Sequence, residues 1–364
     1  MTTYLLAGGG TAGHVNPLLA VADRLMADDP SAAVLVLGTR EGLEARLVPD
    51  RGYELLTIDR LPFPRRPGRA LISFPGRFRR AVRQTEGYIR DRGVDVVVGF
   101  GGYASAPAYR AARRLGIPLV IHEANARPGL ANRLGARYTR LVGTVFTATR
   151  LPHSSVVGMP LRREIEKLDR VASRPEAIEF FGLDKGKRTL LVTGGSTGAR
   201  SINRAVFDGI APILDAGWQV LHIAGNRSEL PDSPFPDYRI ITYCDRMDLA
   251  IASADLAIAR SGAVTVSEFA ATGLPAVFIP YPVGNGEQRY NAADAVSAGG
   301  ALLVNDADFT PAWIASTLAP LLRDHSRLNA MASAMLATGS RDGSERMVDL
   351  VHSATSNIEP DDQA

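Results

Sequence analysis

An internal repetition limits most strongly what this chain can fold into: three landmarks occur twice, in the same order. Tyr4-Leu5-Leu6-Ala7 runs into Gly9-Gly10-Thr11-Ala12-Gly13, and Leu190-Leu191-Val192-Thr193 runs into Gly194-Gly195-Ser196-Thr197-Gly198. Asp95-Val96-Val97-Val98 ends in Gly101-Gly102-Tyr103-Ala104-Ser105, and Asp255-Leu256-Ala257-Ile258 ends in Ser261-Gly262-Ala263-Val264-Thr265. Gly116-Ile117-Pro118-Leu119-Val120-Ile121 is matched by Gly273-Leu274-Pro275-Ala276-Val277-Phe278. Three ordered matches are hard to obtain by chance. The apolar runs are short and alternate with helix-like stretches, the mark of strands covered on both faces of a parallel sheet. The pattern predicts an α/β chain of two similar Rossmann-like domains, each with glycine turns at strand C-terminal ends. Ligands of doubly wound sheets bind there, so the active site is expected in a cleft between the domains.

Length agrees, since 364 residues make two domains at roughly 150 residues each. Gly and Pro punctuate a turn at Val157-Gly158-Met159-Pro160, which places the expected boundary there and the domains at 1–160 and 161–340. Residues 341–352 read as a last helix packing back on the first domain, and the small, polar, acidic 353–364 as a disordered tail. The one cysteine, Cys244, excludes a disulfide within the chain and a multi-cysteine zinc site; its ordinary reading is a small buried hydrophobe. No run approaches the ~18 apolar residues of a membrane span. The N-terminus passes straight into glycines without the regions of a signal peptide, so a cytoplasmic chain is expected.

Charge is unevenly placed. Residues 1–160 hold 22 Arg, no Lys and 12 acids, a balance of +10, whereas 161–364 carry −7. Such a split points the first half at something anionic. The excess concentrates in 60–92, where ten Arg stand against Glu86 and Asp91 and are interleaved with Leu61, Phe63, Leu71, Ile72, Phe74 and Phe78. Arginine with aromatics suits nucleic acid or an anionic membrane surface; the competing reading is a solvated helix face with some core contacts. With 38 Arg to three Lys in the whole chain, part of this richness is general arginine usage.

Gly8-Gly9-Gly10-Thr11-Ala12-Gly13 fits the dinucleotide pattern G-x-G-x-x-G after a strand, and Gly38-Thr39-Arg40-Glu41 at the second strand end leaves an NADP-dependent oxidoreductase open. His14 and Asn16-Pro17 follow at once. A histidine in the first turn of a helix, beside a phosphate-sized nest, is poorly placed as core, and the helix terminus disfavours its protonation. His14 is therefore the candidate general base. Alternatively it only orients a bound ligand or stiffens the loop, with Glu123 then the reserve base. Gly194 to Arg200 is a second anion-binding turn without the Lys-Ser/Thr of a P-loop; close packing alone is its competing reading. Arg260 to Glu268 is a third turn entering a helix. It puts Thr265 and Glu268 on one face, where a carboxylate suits the vicinal hydroxyls of a ribose; a capping box fits the same spacing. His122-Glu123-Ala124-Asn125 lacks the second histidine of H-E-x-x-H, so a substrate pocket fits better than zinc. Gly284-Asn285-Gly286-Glu287-Gln288 is either a sugar-binding loop or a surface turn.

These segments, with Val157-Gly158-Met159-Pro160-Leu161-Arg162 and Gln288 to Asn291, together closely resemble the MurG family from Leu5 to about Val351. Ala12 stands where that family commonly has glycine. The resemblance implies the GT-B fold, two Rossmann-like domains facing each other across a deep cleft. It implies an inverting N-acetylglucosaminyltransferase at the cytoplasmic membrane face. The donor is UDP-GlcNAc, the acceptor an undecaprenyl-linked muramyl-pentapeptide, and no cofactor is tightly bound. Implied donor contacts are Ser196 and Arg162 to phosphate, Ala263, Val264 and Thr265 to the diphosphate, and Glu268 to the ribose. Backbone near Cys244 would meet the uracil, and Gln288 and Asn125 the GlcNAc. Thr11, Ala12 and Gly13 would face the sugar and the acceptor diphosphate. Phe74, Arg79 and Arg80 are the membrane-facing candidates. No D-x-D motif lies within the donor turns themselves, so no tightly bound metal is expected. The rivals are another GT-B enzyme on a lipid or natural product, a sugar-nucleotide epimerase, the oxidoreductase above, and a nucleic-acid-binding module.

Overall fold

Apolar runs with no polar alternation become strands, because only a covered parallel sheet buries both of their faces. The computed structural model describes residues 1–64, 68–195, 198–228, 230, 233–283 and 286–356, and these form thirteen strands, most of them of this kind. They are β1 Thr3–Ala7, β2 Ala33–Gly38, β3 Glu54–Thr57, β4 Val96–Gly99, β5 Leu119–Glu123, β6 Leu141–Thr144 and β7 Ser154–Val156. The second set is β8 Arg188–Thr193, β9 Trp218–Ile223, β10 Tyr238–Ile241, β11 Leu256–Ala259, β12 Ala276–Phe278 and β13 Ala301–Leu303. They form two wholly parallel sheets, ordered β3-β2-β1-β4-β5-β6-β7 and β10-β9-β8-β11-β12-β13. Register is direct: Leu5 pairs with Leu35 and Val97, and Leu191 with Leu221 and Ala257.

The chain divides into two compact units, Met1–Arg162 with Arg341–Ala364, and Arg163–Ser340. In each, the first strand lies mid-sheet, with the next two on one side and the later ones on the other. The crevice between β1 and β4, and that between β8 and β11, are thus points where strand order reverses, the place such sheets bind ligands. Leu5, Leu6, Val97 and Ile121 are fully buried in one sheet, and Leu190, Leu191, Val220 and Ile258 in the other. Each such side chain contributes about 1.5–3 kcal/mol by leaving water.

The last helix differs from expectation. It spans Gly343–Ser356, so it runs beyond 352 into the stretch read as a disordered tail. Residues 357–364 lie outside the described residues. Met347, Val348, Val351 and Ala354 are buried in the same core as Leu6, Val98 and Val120. The hydroxyls of Ser353 and Thr355 donate back to the carbonyls of Leu350 (2.7 Å) and His352 (2.8 Å). Small polar residues suggested disorder; the buried Val351 and Ala354 stripe carries the helix on.

Candidate functional site

In the first unit, β1 leaves the sheet through Gly8-Gly9-Gly10, and Gly10 takes φ 92°, a left-handed conformation that favours glycine. Thr11 begins the helix Ala12–Asp28 by its backbone, its carbonyl accepting the N–H of His14 and of Val15, each at 3.1 Å. Ala12 lies within the helix, and His153 is the one described non-glycine residue at positive φ, so alanine needs no glycine-like backbone here. Thr11 Oγ1 lies 3.3 Å from His14 Nδ1. The ring also hydrogen-bonds the Gly9 backbone and lies against Gly101, where a Cβ would approach its Nε2 to 3.2 Å. Burial lowers the His14 pKa below the ordinary histidine value. The neutral imidazole is as expected, but burial, rather than the helix terminus, is its main cause.

The nest of the first turn is not open to a phosphate. Glu44, 1 % exposed, fills it: Oε2 accepts the Gly10 N–H (2.8 Å), and Oε1 accepts the N–H (2.9 Å) and hydroxyl (2.8 Å) of Thr39. A dinucleotide phosphate aimed at Gly10 would meet this carboxylate, which removes the structural basis for the NADP reading. Sequence reasoning passed over Glu44. Its signal was the pair Gly38 and Gly42 around the end of β2, glycines no turn pattern required.

Glu123 is corrected as reserve base. It is 2 % exposed and accepts four hydrogen bonds. Asn125 gives its backbone N–H (2.8 Å) and Nδ2 (3.3 Å) to Oε1; Gly129 N–H and Asn132 Nδ2, each at 2.9 Å, donate to Oε2. Four donors occupy a carboxylate's acceptor capacity, so Glu123 shapes the 124–132 loop and has no lone pair to spare for a substrate proton. Burial nonetheless raises its pKa. Asn125 is thereby held at that loop's start. Beside it, His122 Nε2 donates to the Gly158 carbonyl (3.1 Å), and burial brings its pKa down to about 4.

In the second unit, the donor candidates follow the C-terminal ends of strands of one sheet. Ser196 lies outside the described residues. Gly198, at φ 79°, has no room for a Cβ, which would meet the Ala224 carbonyl, so the turn after β8 is pressed on the end of β9. Asn203, in the following helix Arg200–Asp208, donates to that carbonyl (2.8 Å) and accepts from the buried His222 (3.1 Å). His222 Nδ1 lies 2.7 Å from the Tyr238 hydroxyl. The helix Ala263–Thr272 begins at Gly262, so Thr265 is inside it and the capping-box alternative for Thr265 and Glu268 falls. Ala263 and Glu268 are buried, Val264 and Thr265 half-buried. Cys244, half-buried in the loop after β10, corrects the expectation of a buried hydrophobe. Gln288 Oε1 accepts the Tyr281 N–H at 2.9 Å, tying the start of the helix Glu287–Asn291 to the loop after β12. Gly284 and Asn285 of that loop lie outside the described residues. Arg162 is half-buried at the end of the first unit.

Arg260 braces this edge. It donates to the carbonyls of Ile279 (3.1 Å) and Pro280 (3.2 Å), to Ser201 Oγ (2.9 Å) and to Asp306. Within the helix Arg69–Asp91, Arg79 and Arg80 are exposed. Phe74 is half-buried, set edge-on to Phe63 (5.5 Å) and stacked on Phe78 (6.0 Å). The outward apolar side chains are Ile72 (83 % exposed), Phe63 (56 %) and Leu71 (46 %). No described helix is long and apolar enough to cross a membrane. Among the described residues no cluster of three or more His, Cys, Asp and Glu is placed to hold a metal ion.

The glycosyltransferase family 28 N-terminal domain matches residues 4–144, and its C-terminal domain residues 189–347. A relative from Leifsonia xyli subsp. xyli is 64 % identical over 98 % of this chain and 99 % of its own. It is named UDP-N-acetylglucosamine--N-acetylmuramyl-(pentapeptide) pyrophosphoryl-undecaprenol N-acetylglucosamine transferase. A Streptomyces coelicolor protein of the same name is 51 % identical over 96 % of this chain and 97 % of its own. Among solved structures, Acinetobacter baumannii MurG superposes with a TM-score of 0.77 at 28 % identity, covering 97 % of this chain and all of that one. UDP-GlcNAc 2-epimerase from Neisseria meningitidis, at 14 % identity and a TM-score of 0.67 over 97 % of this chain and all of its own, shares the fold. With two parallel Rossmann-like units and relatives matching along its whole length, the chain belongs to the MurG family within glycosyltransferase family 28.

Proposed function

We propose that this chain performs an inverting glycosyl transfer with His14 as the general base at the acceptor. The chain is a UDP-GlcNAc-dependent N-acetylglucosaminyltransferase that moves GlcNAc to the C4 hydroxyl of a lipid-linked MurNAc-pentapeptide. Identity along nearly the whole length to relatives bearing that activity in their names carries this reading. The base removes the C4 hydroxyl proton, the oxygen attacks the anomeric carbon from the face opposite the diphosphate, and UDP departs. A sugar hydroxyl is a poor nucleophile, and a positioned base is worth about 10²–10⁴-fold. The ring is held by Thr11 and Gly9, and in its neutral form one of its two nitrogens carries no proton and is the acceptor for that proton.

The donor is assigned mainly to the second unit. Departing UDP charge falls on backbone N–H groups and the helix start after Gly198, with Ser196 and Arg162, the preorganised electrostatics such chemistry needs. Ala263, Val264 and Thr265 take the diphosphate, Glu268 the ribose, and backbone near Cys244 the uracil. Gln288 and Asn125 meet the GlcNAc. Thr11, Ala12 and Gly13 stand next to the sugar and the acceptor diphosphate; Glu44 already holds the Gly10 N–H, so phosphate contacts there fall on the helix side of the turn.

We further propose that the stretch 60–92 docks on an anionic membrane face. Ile72, Phe63 and Leu71 supply the outward apolar contact, Phe74 the ring stack beneath it, and Arg79 and Arg80 the charge. Each arginine near such a surface is worth about 1 kcal/mol, and salt screens it. Transfer of radiolabelled GlcNAc to a lipid-linked muramyl-pentapeptide acceptor tests the enzymatic reading. Epimerised UDP-sugar without transfer would replace it.

A further inference from the structure

Gly9, Gly38 and Gly42 lie on three separate segments, the turn after β1, the end of β2 and the loop beyond it. At all three a side chain would run into the same neighbour. A Cβ at Gly9 or Gly42 would overlap the Glu44 carboxylate, and one at Gly38 would stand 2.5 Å from Glu44 Cγ. The backbone is pared down on three sides around a single acid. Glu44 is almost fully buried, and in its three bonds to Gly10 and Thr39 it acts as acceptor. Burying a carboxylate is costly unless its partners are well placed, and a glycine turn of this type ordinarily presents its N–H groups to a ligand phosphate. Here the chain supplies its own anion.

That anion lies next to the proposed base. Gly10, which Glu44 holds, directly precedes Thr11, whose carbonyl starts the helix and whose hydroxyl meets the imidazole. Gly9, whose missing side chain makes room for the carboxylate, bonds the ring through its backbone. We propose that Glu44 is a positioning residue for the transfer, filling the anion seat of the first glycine turn so that Thr11 and Gly9 hold the His14 imidazole at the acceptor hydroxyl. This rests on the reading of His14 as base. The titratable groups acting on the ring are Glu44, which favours its protonated form, and His122, a close neighbour whose own ring is neutral.

Glu44→Gln keeps the shape but turns a donor toward the Gly10 N–H. It is expected to lower kcat about 10- to 100-fold, the effect of a small misplacement of a reacting group, with the KM for UDP-GlcNAc within about twofold. The acid limb of kcat/KM should move to lower pH, because a charge that favours protonated His14 is gone; a merely structural role would not move it. In a His14→Ala background the substitution should cost nothing further. Thr39→Val, which removes one donor to Glu44 and leaves the acid, should give the same split in smaller measure and serves if Glu44→Gln does not fold. Wild-type kcat in Glu44→Gln beside a slow His14→Ala overturns this inference alone, and so do additive losses in the double variant. Wild-type kcat in His14→Ala removes the base reading and this inference with it.

Discussion

Replacing Gly102 by alanine tests whether the two glycine turns of the first unit work as one part. Gly102 sits at φ 85°, and a left-handed backbone costs an L-residue about 1–2 kcal/mol. Its Cβ would also stand well under 3.0 Å from the Gly9 carbonyl oxygen, a separation real Cβ atoms essentially never show. The partner is backbone, so relief requires the turn after β4 and the turn holding His14 to part by more than about 0.5 Å, against the misplacement of about 1 Å that costs about 10²-fold near reacting atoms. Gly116→Ala is the matched control. It closes the helix Ser105–Leu115 at φ 70°, with nothing within 4 Å of its Cβ, so it carries the strain without the collision. Thermal melts should show a loss of about 1–2 kcal/mol for Gly116→Ala and a larger one for Gly102→Ala. Transfer assays should show near-normal kcat for the control and a drop of about 10- to 100-fold for Gly102→Ala, with UDP affinity held. Equal kcat in the two variants would refute the coupling of the turns to the imidazole.

Glu268→Ala should weaken UDP and UDP-GlcNAc together by about 1.5–3 kcal/mol, roughly 10- to 150-fold by calorimetry; unchanged UDP affinity in a folded protein would end the ribose assignment. Replacing Ile72 and Phe63 by serine together with Arg79 and Arg80 by glutamine should reduce flotation with anionic vesicles while leaving UDP binding intact, and adding salt should mimic only the arginine part. If binding survives all four changes, the stretch is a solvated face. His122 and His222 are buried, with pKa values near 4 and 3, and His14 is lowered too. Below the ordinary value of about 6.5, the unfolded chain binds protons that the folded one refuses. The histidine contribution to stability should therefore be level above pH 6.5 and fall beneath it, by about 1.4 kcal/mol per pH unit each for His122 and His222, with His14 acting in the same direction. His222→Asn, judged by denaturant melts between pH 4.5 and 6.5, should flatten that slope; an unchanged slope would mean that His222 titrates alike in both states.

The fold was legible because its signal is periodic and doubled. Tyr4 to Ala7 and Leu190 to Thr193 each entered a glycine turn, and both became central strands. Where the candidate residues fall in the fold was legible for the same reason, since His14, Asn125, Cys244 and Glu268 all come after strand ends. What each side chain does there was less legible, because hydrogen-bond partners come from distant segments. Nothing near Glu123 in sequence announces that Asn132, nine positions on, would occupy its Oε2. Nothing near Gly10 says that Glu44 would reach it across 34 residues. The capping-box pattern at Thr265 failed because the glycine at 262 started the helix first. The tail reading failed at 353–356 because polarity was averaged over a stretch in which Ala354 faces inward and continues the buried stripe of Met347 and Val351.

The last helix also imposes an order on synthesis. Met347, Val348, Val351 and Ala354 complete the core that begins with Tyr4 and Leu6. Residues 1–162 therefore leave the ribosome with one wall of their interior missing, and it arrives only after the whole second unit, 163–340, has been made. At about 5–20 residues per second this interval is roughly 10–40 s, far longer than collapse of a chain this size takes. Throughout it the strands of the second unit emerge one after another, while the first unit waits with the pocket for Met347 and Val351 exposed. The half of the protein translated first is thus the half that is finished last.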